Sequence, residues 1–181
     1  GVRHQMHYHH NPLYRFASGP DVVGSDGVIA NVARLADYGF VFELQIFAPQ
    51  VKAALKLVKA CPTVTFVLQH AGMPEDLSDE GKADWREAIG KLAARPNVMC
   101  KLSGFGTFIH RNDPQHIAWT VEQALALFGA DRCLYGSNFP IEKLWTSYGD
   151  LINAVKAAVA DEPEDTRRAV FQDVAIRVYD L

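Results

Sequence analysis

The sequence predicts an α/β fold in which five parallel strands form part of an eight-stranded (β/α) TIM barrel. Short apolar runs alternate five times with helical patterns, at about 25 to 40 residues per unit, and each run ends in polar residues. The glycine-rich phosphate loops of the open doubly wound sheet, G-x-G-x-x-G and G-x-x-x-x-G-K-[ST], do not occur. Because five strands cannot close such a barrel, we expect about three strands to be missing from the front.

Each predicted strand is a short apolar run bounded by glycine, proline or polar residues. The runs cover residues 2–7, 40–47, 63–69, 97–102 and 133–140. In the last run, Pro140 forbids continuation of the ladder, so Ser137 and Asn138 are expected at the carboxyl end of the strand. Ligands of parallel α/β folds bind at this end of the sheet.

The predicted helices follow the three-to-four spacing of apolar residues between the strands. Asp26 is expected to cap the first helix and Gly39 to close it, and Pro49 begins a helix that ends at Ala60. The other predicted helices cover residues 82–94, 113–128, 148–160 and 164–179. No repeat, low-complexity segment or linker interrupts the pattern, which predicts a single domain over residues 1–181.

Composition argues against several classes of partner. The net charge of −3 and the pI near 6.2 leave no basic stripe, so nucleic acid is not an expected partner. No apolar run approaches the roughly 20 residues of a membrane span, so no membrane is expected either. The three scattered cysteines, Cys61, Cys100 and Cys133, indicate buried thiols and a cytoplasmic location.

Four segments carry a specific resemblance: GVR at 1–3, LQHAG at 68–72, CKLSG at 100–104 and YGSNFP at 135–140. In order and spacing they resemble the amidohydrolase-related (amidohydrolase 2) family of TIM-barrel metal-dependent hydrolases, which includes fuconolactonase-like and pyrone-dicarboxylate-lactonase-like enzymes. The terminal F-x-x-x-A-x-R-x-Y at 171–179 is similar to the last helix of that family. The match covers essentially the whole chain and implies strands four to eight of the eight-stranded barrel. The resemblance implies a hydrolase in which water attacks a lactone or related carbonyl of a carboxylate-bearing small molecule.

The resemblance also implies a divalent, zinc-like metal in the complete protein, with an H-x-H pair expected upstream of Gly1. His70 ends an apolar run and is a candidate catalytic residue or metal ligand, the alternative being a histidine that bonds a backbone carbonyl. His7 and His9 have the spacing of a metal pair, but the adjoining GVR matches a later strand, where the family carries one histidine at the position of His9. His9 is therefore a substrate-binding candidate, and His7 and His10 are interpreted as loop residues.

Five polar side chains are assigned to substrate binding on neighbouring strands. Arg3 lies inside a strand and needs a carboxylate partner or an anionic ligand, because an unpaired guanidinium is costly there. Glu43 is that partner in a purely structural interpretation. Lys101 is expected to hold an anionic substrate or oxyanion, or to pair with Glu43 instead. Gln45 and Ser103 are expected in the same region, at the carboxyl ends of their strands.

Asn138 is assigned to catalysis and Ser137 to substrate binding. Hydrolases of the family usually carry an aspartate at the position of Asn138, and that aspartate takes the proton from the attacking water. An amide is not a base at neutral pH. Either another group is the base, or Asn138 only positions the substrate and the chemistry differs.

Two alternatives to the hydrolase remain open. One is a metal-dependent decarboxylase of the same superfamily, which needs no activated water and so suits an asparagine. The other is a catalytically silent truncated barrel that binds a ligand or a partner through its strand edges. The expected partners are a carboxylate or lactone substrate, a second copy of the chain, or the missing amino-terminal segment.

Overall fold

The computed structural model describes residues 1–181 and contains one five-stranded parallel sheet in the order β1-β2-β3-β4-β5. The strands are β1 Val2–Gln5, β2 Phe42–Gln45, β3 Phe66–Leu68, β4 Val98–Leu102 and β5 Cys133–Tyr135. Each strand lies beside the next one in the chain, as successive strands of a TIM barrel do. The predicted parallel α/β fold is confirmed, although every strand is shorter than the apolar run that predicted it.

Helices connect the strands and follow the last one. They are α1 Asp26–Ala33, α2 Val51–Ala60, α3 Asp79–Ala93, α4 Pro114–Phe128, α5 Tyr148–Ala158, α6 Glu164–Arg168 and α7 Val174–Tyr179, with a π-helical turn between α6 and α7. Helix α3 begins three residues before the predicted start, because the Ser78 hydroxyl accepts a hydrogen bond from the Gly81 N–H. Asp26 is not the cap of α1: Ser25 holds that position, and Asp26 pairs with Lys56.

The two faces of the sheet have different coverings. Alternate strand residues, among them Leu44, Phe66 and Cys100, are buried against helices α1 to α5. The residues between them point to the opposite face, which we call the site face. There Val67 and Leu134 pack against Val174 of α7, so the final helix covers part of the site face.

Register places the predicted charged residues on the site face. Arg3 of β1 is aligned with Glu43 of β2, which is in turn aligned with the site-face residue Val67 of β3. Lys101 of β4 is aligned with Leu134 of β5, also on that face. The three charged side chains therefore project to the same side.

The state of the cysteine thiols matches the prediction. All three thiols are buried and free, as expected, and Cys100 is aligned with Cys133 on the neighbouring strand. None of the seven helices has both the length and the apolar character needed to cross a membrane.

Candidate active site

The carboxyl ends of the strands open into a cavity of about 370 Å³. Four residues predicted for the site line it: Arg3, Gln45, His70 and Asn138. Aromatic residues from two loops close it, since the Tyr14 hydroxyl donates to the carbonyl oxygen of Phe108 at 3.3 Å. A separate, mainly apolar cavity of about 260 Å³ between β1 and α1 contains none of the predicted site residues.

Glu43 is the centre of a charged network on the site face. Its Oε2 accepts from Arg3 Nε at 2.5 Å, and its Oε1 accepts from Lys101 Nζ at 3.2 Å and from the Tyr179 hydroxyl at 2.6 Å. Arg3 Nη2 also donates to Gln69 Oε1 at 2.9 Å. The ion pairs of the structural interpretation are thus both present, and two cations share one carboxylate.

This network decides the charge state of Glu43. Burial alone would raise the pKa of the carboxyl, but the hydrogen bonds from Arg3 and Tyr179 and the charge of Lys101 outweigh it and lower the pKa to about 2. Burial and the bond to Glu43 raise the pKa of the Tyr179 phenol. Glu43 is therefore an anion at neutral pH, and its affinity for a proton is too low for it to serve as a general base there.

His70 is held as a neutral imidazole at the end of β3. Its Nδ1 lies 2.9 Å from Ser103 Oγ, and its backbone has a left-handed φ of 55°. Burial and the positive charges of Arg3 and Lys101 lower the pKa of the imidazole to about 3. Because Nδ1 is used by Ser103, Nε2 is the nitrogen that remains for a ligand.

Gly104 makes room for this histidine. A Cβ atom at position 104 would lie 2.5 Å from His70 Nδ1, closer than any contact between these atoms allows. Gly104 also has a φ of 63°, which side-chain-bearing residues adopt at a cost. The glycine is therefore required both by the turn and by the imidazole beside it.

A metal does not fit these residues alone. No group of three His, Cys, Asp or Glu side chains gathers anywhere in residues 1–181. His9 uses its Nε2 on Glu75 Oε1 at 3.2 Å and its Nδ1 on the Asn11 N–H at 3.0 Å. His70 would be a single ligand, so no step of the chemistry is assigned to a metal here.

Several predicted residues support the site without lining the cavity. Glu43 and Lys101 lie in the charged network and Ser103 positions His70. Ser137 accepts the Phe139 N–H at 3.2 Å and so stabilises the turn after β5. With His9 also bonded within the protein, the structure does not bring Ser137 or His9 into the cavity lining.

His7 is a site residue that the sequence interpretation left out. His7 lies in the loop after β1, as predicted. Its side chain, however, is buried and lines the cavity, with its ring centroid 4.8 Å from that of Phe16. Its Nδ1 has no hydrogen-bond partner, and burial lowers the pKa of the ring. Its surroundings come from distant segments such as Phe108, so no local pattern indicated its position.

Glu142 and Thr107 form a second polar cluster that sequence reasoning missed. Glu142 is the only acidic residue among the buried ones. Its Oε1 accepts from the Thr107 hydroxyl at 2.6 Å and its Oε2 from the Gly106 N–H at 3.2 Å. Asn138 Nδ2 donates to Thr107 Oγ1 at 3.0 Å and lies 3.5 Å from Glu142 Oε1. The charged segment after Pro140 would ordinarily be taken for an exposed turn.

Comparison with known proteins agrees with this architecture. The sequence profile of the amidohydrolase family matches residues 1–181, and the chain belongs to that family. It is 34% identical over 179 residues to the uncharacterized protein y4mH of Sinorhizobium fredii, and 32% identical over 161 residues to the L-fucono-1,5-lactonase of Burkholderia multivorans. These alignments cover 99% and 83% of this chain but 60% and 54% of the relatives, so the chain spans little more than half their length.

A solved structure shows the same fold. The crystal structure of an amidohydrolase from Burkholderia multivorans with bound zinc superimposes with a TM-score of 0.88 at 28% identity. The match covers 100% of this chain and 64% of that one. The sequence resemblance to the family is thereby confirmed, and the sheet corresponds to part of a TIM-barrel amidohydrolase.

Proposed function

We propose that the protein is a hydrolase that opens a lactone, or attacks a related carbonyl, in a small molecule bearing a carboxylate. The observation that carries the proposal is the shared carboxylate of Glu43: Arg3 and Lys101 leave one positive charge unbalanced beside the cavity. A carboxylate in the substrate, or the carboxylate that lactone hydrolysis produces, would balance it. The lactonase from Burkholderia multivorans supports the choice of reaction.

Three of the lining residues then have roles that their surroundings allow. Arg3, whose side chain is 39% exposed, would orient the anionic group. Neutral His70 would polarise the carbonyl through Nε2–H when Ser103 donates to Nδ1. The buried Oε1 of Gln45 has no partner in the protein and would accept a hydrogen bond from the ligand.

A divalent metal is a separate part of the proposal. The zinc in the Burkholderia structure supports it, and ligands in addition to His70 would be needed, since residues 1–181 contain no complete set. Metal analysis of the complete protein tests this part without any substrate: a stoichiometric divalent ion is expected there, and its absence from active protein would contradict it.

The reaction is tested by proton release with a panel of lactones, L-fucono-1,5-lactone among them, because opening a lactone at neutral pH yields a carboxylic acid that ionises. We expect His70→Asn to lower kcat by about 100-fold. Arg3→Met is expected to raise KM by about 10-fold for carboxylate-bearing substrates, since a charged hydrogen bond is lost.

Arg34→Met is the matched control, because Arg34 is exposed and makes no ion pair. The proposal would be contradicted if the protein hydrolyses none of the lactones, or if His70→Asn hydrolyses them at the wild-type rate. Release of carbon dioxide from carboxylate substrates would indicate the decarboxylase instead.

A further inference from the structure

The cluster of Glu142, Thr107 and Asn138 determines which way the Asn138 amide faces. A carboxylate has no proton to give, so the 2.6 Å contact requires the Thr107 hydroxyl to donate to Glu142 Oε1. With its proton used, Thr107 Oγ1 has only lone pairs to offer Asn138. The amide must therefore meet Thr107 with Nδ2, which donates at 3.0 Å.

The opposite orientation of the amide is unfavourable for the same reason. It would place Oδ1 against the lone pairs of Thr107 Oγ1 and near the carboxylate oxygen of Glu142, where Nδ2 now lies at 3.5 Å. The Gly106 N–H, bonded to Oε2, holds the carboxylate in place from its other side. Oδ1 is consequently the free end of an amide that lines the cavity.

We propose that Glu142 and Thr107 are positioning residues that fix Asn138 with its Oδ1 as a hydrogen-bond acceptor for the ligand. The group it accepts from is an O–H donor, either a hydroxyl of the substrate or the attacking water. This inference rests on the proposed hydrolase function for its kinetic consequences, but the orientation of the amide does not depend on it. It gives Asn138 a role that needs no basicity.

A merely structural role for the cluster would be to hold the loop after β4 against the turn after β5. The two roles differ in what they predict for Thr107→Ser and Thr107→Val. Serine keeps the hydroxyl and should restore function, whereas valine has nearly the same shape but no hydroxyl. Glu142→Gln should release the amide, because the new side-chain N–H can donate to Thr107 and free its proton for Asn138 Oδ1.

The first measurement needs no substrate. In ¹⁵N-labelled protein, the Asn138 side-chain NH₂ signals, assigned by their loss in Asn138→Leu, should exchange with water more slowly than those of exposed Asn153, whose side chain makes no hydrogen bond within the protein. Thr107→Val should remove the protection and Thr107→Ser should retain it. Exchange as fast as that of Asn153 in the unaltered protein would overturn the proposal.

The second measurement separates the two donors by comparing a hydroxylated sugar lactone with δ-valerolactone, which has no hydroxyl. If Asn138 Oδ1 holds the attacking water, Thr107→Val lowers kcat by about 100-fold on both. If it holds a substrate hydroxyl, the variant loses rate only on the sugar lactone. Unchanged kinetics on both would overturn the proposal, while an unaltered protein that hydrolyses neither would contradict only the proposed function.

Discussion

The Tyr179 hydroxyl donates a 2.6 Å hydrogen bond to Glu43 Oε1, joining two residues 136 positions apart in the chain. Tyr179 ends α7, and Val174 at the start of that helix is buried on the same face of the sheet. The final helix therefore supplies a donor to the carboxylate that also balances Arg3 and Lys101. The charge state of Glu43 in the candidate site therefore depends on the last turn of helix α7.

Removing this hydroxyl should destabilise the fold. Tyr179→Phe keeps the ring but removes one of three donors to an anionic carboxylate, and we expect a loss of about 2 kcal/mol in the free energy of unfolding, measured with urea at pH 7. Tyr38→Phe is the matched control, because Tyr38 is 64% exposed and should change stability by no more than about 0.5 kcal/mol. Equal stability of the two variants would show that the bond contributes nothing.

The stability contributed by Glu43 should depend on pH in a defined window. The pKa of its carboxyl falls from 4.5 to about 2 on folding, so its contribution is fully present above 4.5 and is lost as the pH falls through 2. Between pH 7 and pH 2, the free energy of unfolding of the wild-type protein should fall by about 3 kcal/mol more than that of Glu43→Gln. Urea unfolding over this range measures the difference, with Glu122→Gln as a control for an equal charge change at an exposed position. Parallel pH profiles for protein and Glu43→Gln would refute the prediction.

The sequence predicted the residues at the strand ends better than the contacts that loop residues make. Alternation along β1 and β2 decides the face that Arg3 and Gln45 occupy. His70 and Asn138 lie just beyond β3 and β5, and the ends of the apolar runs indicated their positions. The sequence also predicted the closing glycine of the first helical segment, since Gly39 has the left-handed backbone expected there. These are properties of single elements.

Contacts made by loop residues were beyond such patterns, although the sequence did indicate the pairing of Glu43 with Arg3 and Lys101 as a structural alternative. The burial of His7 depends on loops around Phe16 and Phe108, and the burial of Glu142 depends on donors at Gly106 and Thr107. In the sequence, Glu142 belongs to a polar turn after a proline, where exposure is the usual outcome. A buried carboxylate is recognisable only when its donors are in place.

The contact between Gly104 and His70 can be separated from backbone strain. Gly104 and Gly39 have the same φ of 63°, but a Cβ atom at Gly39 would meet nothing within 4 Å. Gly39→Ala should therefore cost about 1 kcal/mol of backbone strain alone. Gly104→Ala should cost about 2 kcal/mol more, because His70 must move away from Ser103.

Thermal and urea unfolding of the two glycine variants measure this difference. The ring resonances of His70 in Gly104→Ala should also shift, whereas those in Gly39→Ala should not. If both variants lose the same stability, a side chain at position 104 does not displace the His70 imidazole, and the prediction is wrong.

Introducing a second carboxylate beside Glu142 should be unfavourable at neutral pH. In Asn138→Asp, the new carboxyl would face Glu142 Oε1, 3.5 Å from the present Nδ2, and Thr107 has no second proton to offer it. Like charges raise the pKa of the new carboxyl above its unfolded value of about 4, so the variant should be closest to wild type in stability below that pH. As the pH rises through the raised pKa, it should lose about 1 to 3 kcal/mol relative to wild type.

The control for this variant is the double substitution Asn138→Asp with Glu142→Gln, which restores a single negative charge to the cluster. Urea unfolding at pH 5 and pH 8 should show a large pH-dependent deficit in Asn138→Asp and a smaller one in the double variant. Thr107 is able to donate to only one carboxylate, so the deficit should persist in Asn138→Asp with Thr107→Ser. A single variant as stable as wild type at pH 8 would mean that Glu142 and position 138 do not interact.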